Sequence, residues 1–443
     1  MLMRKTKIVV TIGPAVEDKK LLLRIFEKAD AARFNFSHGD HKEHKKQKRL
    51  VDEVANELGK IIPTMADTQG PEMRTTNNGP VEVKINGHYD LMKDIGVTYS
   101  NLPKDVKKGD MVVIADGDFR MRVLETGKNA LKVHALTGGI INPKRKVSVP
   151  GELIHLPTIS DEDRKDLDFI AKENFDLIAQ SFVRHAREVD ELRKYAAGLG
   201  WKNHIIAKIE HPKAVEEFDG IITAADGAMV ARGDLGVEVS FDKLPGIQRM
   251  LIRKARKSSK PVIVATHMMK SMVSSPFPTR AEVVDVANAV YQGTDAVMLS
   301  EETTIGSFPY EAVDAMDRIA TTAELDAEVE KVEPIDNKDV MAQEAFVIAD
   351  KFGCPMVAPT ESGTTPRKIS KYRPKLKIYA ITPHRHVAAY MTLCYGVVPV
   401  MSERHEPIYR NFAQIKEMVG INKAVFVFGY PMGNKRTNSV IYA

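Results

Sequence analysis

An α/β fold in three parts is predicted: a closed (β/α)8 TIM barrel, a small β domain inserted after its third strand, and a second α/β domain at the C-terminal end. Three observations predict it. Eight short apolar runs alternate with segments of helical periodicity, the pattern of βα units. That rhythm breaks once, from about Pro71 to Leu156, into short strands and turn dipeptides. A charged stretch, Glu330-Lys331-Val332-Glu333-Pro334, reads as a linker before alternation resumes near Ile335. The boundaries are 1–70 and 157–334 for the barrel, 71–156 for the insert and 335–443 for the last domain.

In order, Lys7 to Ile12 reads as the first strand, closed by Gly13-Pro14, with a helix from Glu17 to Lys28. Ala31 to Phe36 is the second strand, followed by a charged helix from about Asp40 to Leu58; Ile61 to Ala66 is the third. In the insert, Val81 to Ile85, Met111 to Ala115, Arg120 to Leu124 and Ala130 to Ala135 are strands between Asn86-Gly87, Asp116-Gly117 and Gly138-Gly139 turns. The barrel resumes with strands at Asp176 to Ser181, Ile205 to Ile209, Ala228 to Ala231, Pro261 to Thr266 and Asp295 to Ser300. Helices at Phe241 to Ser258 and Thr279 to Gln292 separate the later ones, and Tyr310 to Glu328 leads out. A doubly wound open sheet is the rival, but no Gly-x-Gly-x-x-Gly follows the first strand. The last domain reads as helix Val340 to Lys351, strand Met356 to Ala358, helix Pro366 to Lys371, strand Lys377 to Ile381, and strands Ala424 to Phe428 and Ser439 to Tyr442.

Composition excludes several classes. With 443 residues, 43% of them hydrophobic, the chain buries ample cores and is not disordered. A net charge of +5, from 64 basic and 59 acidic residues, suits phosphorylated small molecules and is too weak and mixed for nucleic acid. Cys354 and Cys394 make no disulfide framework and fit a reducing, cytoplasmic setting, with one bridge left open. The N-terminal stretch lacks the apolar core of a signal peptide, and no run approaches a membrane span.

The chemistry-bearing residues gather at strand C-terminal ends, where a closed barrel places its site. Lys208 and Glu210 stand two apart and share a strand face, and the run Ala228 to Ala231 delivers Arg232, Gly233 and Asp234. One such charge reads most simply as a structural ion pair. An ammonium and two carboxylates beside glycines read better as a site for Mg²⁺ and an anionic substrate. Arg33, Asn35 and Ser37 also share a face, and Asp67 and Thr68 end the third strand. That set suits a phosphate next to a hard cation; a solvated strand face fits the alternation as well. Thr266 and Ser300 end the seventh and eighth strands, as lining of the same mouth or as caps. In Pro359-Thr360-Glu361-Ser362-Gly363-Thr364-Thr365-Pro366 a strand enters and a helix leaves, with Thr365 suited to the N-cap and Pro366 to the first helical position. Its free N–H groups and hydroxyls make either a second, anion-binding site or a plain capped turn. His38, His41 and His44 have ligand-like spacing, but their Lys-rich surroundings, Lys42 to Arg49, indicate a solvated helix face.

Together, Thr6-Lys7-Ile8-Val9 with Thr11-Ile12-Gly13-Pro14, Arg33 to Gly39, Asp67-Thr68-Gln69-Gly70-Pro71-Glu72, Lys208-Ile209-Glu210, Val230 to Gly236, and Pro278-Thr279-Arg280-Ala281-Glu282 with Asp285 to Ala289 closely resemble the pyruvate kinase family. The resemblance runs from about residue 4 to the C-terminus. It implies a barrel, an inserted small β-barrel lid and a C-terminal regulatory domain, assembled as a homotetramer, without the N-terminal extension some relatives carry. The implied reaction moves the phosphoryl group of phosphoenolpyruvate to ADP, giving pyruvate and ATP.

Position by position, the resemblance gives Lys208 the task of stabilising the transferring group and Arg33 a phosphate contact. Glu210 and Asp234 become ligands of Mg²⁺ or Mn²⁺, and Asn35, Ser37, Asp67 and Thr68 ligands of K⁺. Glu72 matches the residue type that accompanies K⁺ dependence, and Arg74 a nucleotide-phosphate contact, shared in this reading with Asn35. Gly233 and Thr266 line the phosphoenolpyruvate site, Thr266 near the face where the enolate is protonated. Thr360, Ser362, Gly363, Thr364 and Thr365 form the loop for a phosphorylated effector. Three residues depart from the family pattern: Gln69 for the usual Lys, His267 for Gln and Glu301 for Gly. A Mg²⁺-dependent lyase or aldolase on a similar barrel is the alternative enzyme, and a non-catalytic phosphometabolite sensor the alternative outside catalysis.

Overall fold

The computed structural model describes residues 4–151, 154–402, 412–429 and 437–443. Eight parallel strands form a closed ring in chain order: Lys7–Thr11, Ala31–Asn35, Thr64–Asp67, Leu177–Gln180, His204–Ile209, Gly227–Ala231, Val262–Ala265 and Ala296–Leu299. The eighth returns to the first over the pairs from Lys7↔Ala296 to Val10↔Leu299, so the open-sheet rival is excluded. The third strand starts later than its apolar run suggests. Pro63 has no N–H to give a ladder and contributes only its carbonyl, to Ala32.

Period-two alternation sets the inside of the ring. Val9, Ala31, Met65, Ile206, Met229 and Ile263 pack in one buried cluster within it, while Val10, Ala32, Phe34, Ala66, Ile205 and Ile209 pack outward against the helices. Arg33 and Asn35 continue the inward row of Ala31, and Lys208 and Glu210 that of Ile206, which aims all four at the barrel mouth.

The helix His41–Leu58 starts at Asp40, whose carboxylate accepts the Glu43 N–H, and stops at Gly59 in the left-handed region at φ 59°. Its buried face includes His44, which corrects the solvated-face expectation. His44 stacks on Phe36 with centroids 4.4 Å apart and bonds the His38 carbonyl, and His41 stacks on Phe169 and pairs with Asp166. The rings are packed because Phe36 and Phe169 offer apolar faces beneath an otherwise charged helix. Lys46 is solvated as expected and paired with Glu17, whereas Lys48 is largely covered, paired with Asp52 and lying over the Phe175 ring. The motif Pro278 to Glu282 is a capping box: Thr279 and Glu282 satisfy each other's N–H at the start of helix Arg280–Tyr291, and Glu282 also holds Ser271.

The insert, expected as a small β barrel, is an antiparallel sheet of six strands with a separate two-stranded ribbon, Val81–Val83 with Gly139–Ile141. It has its own core, including Leu91, Val112, Met121 and Val133. Its two ends converge: Pro71 and Met73 from the entry, and Val149, Ile154 and Leu156 from the exit, line one cavity with Phe182 and His211 of the barrel.

The last domain is a five-stranded sheet in the order Val397–Met401, Ile378–Thr382, Met356–Pro359, Val425–Phe428 and Ser439–Tyr442, antiparallel only at the final pair. It sits on the end of the barrel where strands begin. Lys7 Nζ donates to the Val397 carbonyl at 2.7 Å, Arg373 pairs with Asp295 at 2.9 Å, and the Tyr390 hydroxyl donates to the Asp226 carbonyl.

In that seam His204, at the start of the fifth strand, stacks on Tyr390 with ring centroids 3.9 Å apart. Burial pulls its pKa down to about 4, with Arg367, His386 and Arg193 acting the same way against Asp226. The folded-state value lies below the ordinary 6.5, so on acidification the unfolded chain takes the proton first. Stability from this group is full above about pH 6.5 and is lost between there and about pH 4, about 2 kcal/mol for a partly exposed ring. Unfolding temperatures across that window are expected to fall less steeply in His204→Phe than in the unaltered chain. Equal slopes would remove His204 as the cause.

Candidate active site

A cavity of about 230 Å³ opens at the C-terminal end of the barrel strands, between barrel and insert. Arg33, Asn35, Ser37, Arg74, Lys208, Glu210 and Asp234 line it, so seven residues named from sequence are brought together. Six cationic side chains face three carboxylates there, the balance expected for phosphorylated substrates.

Lys208 is held by three groups. Its ammonium lies 2.8 Å from Asp67 Oδ1, 2.6 Å from Ser181 Oγ and 2.9 Å from Glu210 Oε1. Burial would strip its proton, but Asp67 and Glu210 outweigh that and raise its pKa. Arg33 donates from Nε to Asp67 Oδ2 at 2.6 Å and from Nη1 to Thr11 Oγ1 at 3.1 Å. Asp67 is fully buried; burial favours its neutral form, yet Arg33 and Lys208 hold its pKa below the usual carboxylate value. The three form one rigid unit that presents two cations to the cavity.

Glu210 accepts the Phe182 N–H at 2.7 Å through Oε2. Its Oε1 is buried and, although close to Lys208, has no aligned hydrogen bond. Burial, and then the charge of Asp234 against that of Lys208, push Glu210 up to about 7. Asp234 moves the other way: burial opposes its charge, but Lys146 and Lys208 keep its pKa low. Lys146 comes from the insert. It pairs with Asp234, lies 4.0 Å from Glu72 and sits 4.6 Å from the Phe182 ring centroid.

Two neighbouring carboxylates fit a hard divalent ion, and each already pairs with an ammonium, Glu210 with Lys208 and Asp234 with Lys146. Among the described residues no group of three or more His, Cys, Asp or Glu converges, so substrate and water oxygens would complete such a shell. Asn35 and Ser37 also offer hard oxygens, and Asn35 Oδ1 accepts the Ser37 N–H at 3.2 Å. Thr68 is not in the lining: Oγ1 meets the Ala179 carbonyl and accepts the Ser181 N–H, while its own carbonyl accepts Ser181 Oγ.

Gly233 and Thr266 adjoin Asp234 outside this lining and bond each other, the Gly233 N–H donating to Thr266 Oγ1 at 2.7 Å. Thr266 has φ 68° and His267 φ 53°, left-handed values that a β-branched residue adopts at a cost of order 1–3 kcal/mol. The strain places the Thr266 hydroxyl beside the mouth. Arg232 secures the segment by pairing with Asp285 at 2.7 Å and donating to the Thr266 carbonyl at 2.8 Å. Ser300 precedes the short helix Glu301–Thr304, and its buried Oγ has no hydrogen-bond partner among the described residues. Of the departures, Gln69 lines the cavity and Glu301 lies 3.9 Å from Lys270.

The loop Thr360 to Thr365 is elsewhere, at the C-terminal domain. Thr360 Oγ1 accepts the Gly363 N–H at 2.8 Å, and the Ser362 and Thr364 hydroxyls are 2.9 Å apart. Thr365 is not the N-cap. The helix spans Thr364–Ser370 and begins at Gly363, because glycine takes φ 73° where a Cβ would strike Met391. The Thr365 hydroxyl instead bonds Thr437 at 2.7 Å.

Sequence reasoning missed Ser181 and Lys146, and it named Thr11 and Arg232 without giving them a role. Ser181 could have been found, since it ends the fourth predicted strand as Asp67 ends the third. Lys146 carries no periodic signal within Lys144-Arg145-Lys146.

Comparison with known proteins follows the same division. The family model described as "Pyruvate kinase, barrel domain" matches residues 3–313, and "Pyruvate kinase, alpha/beta domain" matches residues 339–441. The pyruvate kinase of Geobacillus stearothermophilus is 41% identical over 424 residues, covering 89% of this chain and 71% of its own. That of Sporosarcina psychrophila is 37% identical, covering 99% and 80%. The crystal structure of a pyruvate kinase from Cryptosporidium parvum superposes with a TM-score of 0.90 at 35% identity, over 99% of this chain and 96% of that one.

Proposed function

The chain belongs to the pyruvate kinase family, and from that premise we propose how its site performs phosphoryl transfer from phosphoenolpyruvate to ADP. One observation carries the reading: Lys208, locked by Asp67, Ser181 and Glu210, shares a cavity with Arg33, Arg74, Glu210 and Asp234.

Arg33 and Lys208 anchor the phosphate of phosphoenolpyruvate. Arg74 and Asn35 receive the nucleotide, whose β-phosphate oxygen attacks phosphorus while the bond to the enolate oxygen breaks. Lys208 needs no reorganisation to meet the charge that develops, because its position is fixed before substrate arrives. Glu210 and Asp234 would hold Mg²⁺ or Mn²⁺, which when bound supplies positive charge against the phosphoryl oxygens. Gly233 and Thr266 flank the substrate, and the Thr266 hydroxyl, pinned by the Gly233 N–H, stands where C3 of the enolate takes its proton.

Asn35, Ser37 and Asp67 are the proposed ligands of K⁺, with Thr68 at the margin of that set. Glu72 lines the cavity with a carboxylate paired with Arg74, and it is the residue type that the family resemblance associates with K⁺ dependence. Replacing K⁺ by a large organic cation is expected to lower the rate on the order of tenfold or more. Undiminished turnover without Na⁺ and K⁺ would defeat this assignment.

The Thr360 to Thr365 loop is proposed to bind a phosphorylated effector through Ser362, Gly363 and Thr364. A homotetramer is proposed, and the apolar side chains of Phe277, Val283 and Tyr291, exposed around one groove, support a contact between subunits there. Among the described residues no helix is long and apolar enough to cross a membrane, and a cytoplasmic place of work is proposed. A steady-state assay that varies phosphoenolpyruvate, ADP, divalent ion, K⁺ and sugar or nucleotide phosphates tests the whole reading. Product formed without ADP would favour the lyase alternative.

A further inference from the structure

A small cavity lies in the seam between the barrel and the C-terminal domain, far along the strands from the mouth. Arg256, Ser259 and Lys260 line it from the barrel, with Asp295, and Arg367, Lys371 and Arg373 from the other domain. Among the described residues, two of these cations have a carboxylate at contact distance: Lys371 pairs with Asp339 and Arg373 with Asp295.

The other three meet backbone carbonyls. Arg256 donates to the Glu330 and Lys371 carbonyls, Lys260 to those of Thr223 and Ala225, and Arg367 to those of Ser259 and Gly363. Arg367 also lies 5.4 Å from the Tyr390 ring centroid. Asp226 acts on Lys260, and Asp295 and then Glu330 act on Arg256, only through space. Buried charge without a counter-charge is costly, and burial together with Arg373 pulls Arg256 down to about 9.

Among the described residues, three buried atoms of residues that line the cavity have no hydrogen-bond partner: Arg256 Nε, Arg373 Nε and Ser259 Oγ. Arg256 and Ser259 are 3% and 8% exposed, and the Arg373 side chain 4%. Orphaned buried donors are rare, and three on residues that line one cavity point to an acceptor within it. The cavity measures about 10 Å³, room for one water-sized body and too little for a phosphate ester. A neutral water would satisfy the donors but leave the charge.

We propose that this seam binds a single chloride-sized inorganic anion, held by Arg256, Arg373 and Ser259, which ties the C-terminal domain to the barrel. The site is distinct from the Thr360 to Thr365 loop, although Arg367 joins them through its bond to Gly363.

The test uses the full chain at constant ionic strength, with chloride exchanged for gluconate. A saturating rise of the unfolding temperature with chloride, on the order of 2 °C, is expected. Arg256→Gln is expected to abolish it. Equal unfolding temperatures in the two salts would overturn the proposal. Bromide-soaked crystals of the unaltered chain read the site directly, whatever the variant does. An anomalous peak within hydrogen-bond reach of Arg256 Nε and Arg373 Nε at about 0.15 M bromide upholds it. Water alone in the cavity overturns it, as does a peak seen only at molar bromide, which would mark an adventitious ion only.

Discussion

Lys208→Met is expected to lower kcat on the order of 10³-fold or more while the chain stays folded. The ammonium contributes most where charge builds on the transferring group, so the loss falls on kcat more than on KM for phosphoenolpyruvate. The methionine fills a similar volume, and the barrel's apolar layers below it are unchanged. What remains is a less balanced pair of carboxylates: Asp67 keeps Arg33 and the Ser181 hydroxyl, and Glu210 keeps the Phe182 N–H and the more distant charge of Lys146. A modest loss of stability follows, about 1–3 kcal/mol. Near-normal kcat in a folded variant would take Lys208 out of the mechanism.

Asp234→Asn is the second large effect, with kcat/KM expected to fall on the order of 10² and the divalent-ion requirement to rise at least about tenfold. The amide keeps the shape but loses the charge that draws both a metal and Lys146. Glu210, relieved of a like charge beside it, becomes easier to ionise. Direct Mn²⁺ titration of the free enzyme separates lost ion binding from lost chemistry. Unchanged Mn²⁺ affinity would move the metal assignment away from Asp234.

Much of this arrangement was legible before any coordinates. A strand fixes alternate side chains on one face, so Arg33 with Asn35, and Lys208 with Glu210, could be placed together from spacing alone. Ring closure followed from counting eight βα units, and the break at Pro71 marked the insert. What stayed hidden depends on distance in the chain. Lys146 reaches Asp234 from another domain, and no local pattern announces such a contact. His44 was misjudged because charge along a helix is visible in sequence, whereas the Phe36 ring beneath it is not. The Thr365 error is local: Thr-Pro looks like a helix start, yet Gly363 can turn the chain earlier. Thr266 was chosen as a strand-end hydroxyl, and its left-handed backbone adds a reason no composition could give.

The convergence of the insert's entry and exit on one cavity has an evolutionary meaning. A segment whose two ends meet behaves as a cassette: it can be swapped, shortened or grafted while the host ring still closes. Selection could therefore rewrite much of the cassette, Arg74 included, while Lys146, which pairs with Asp234, is the point at which such a change would reach the machinery that cleaves the phosphate ester.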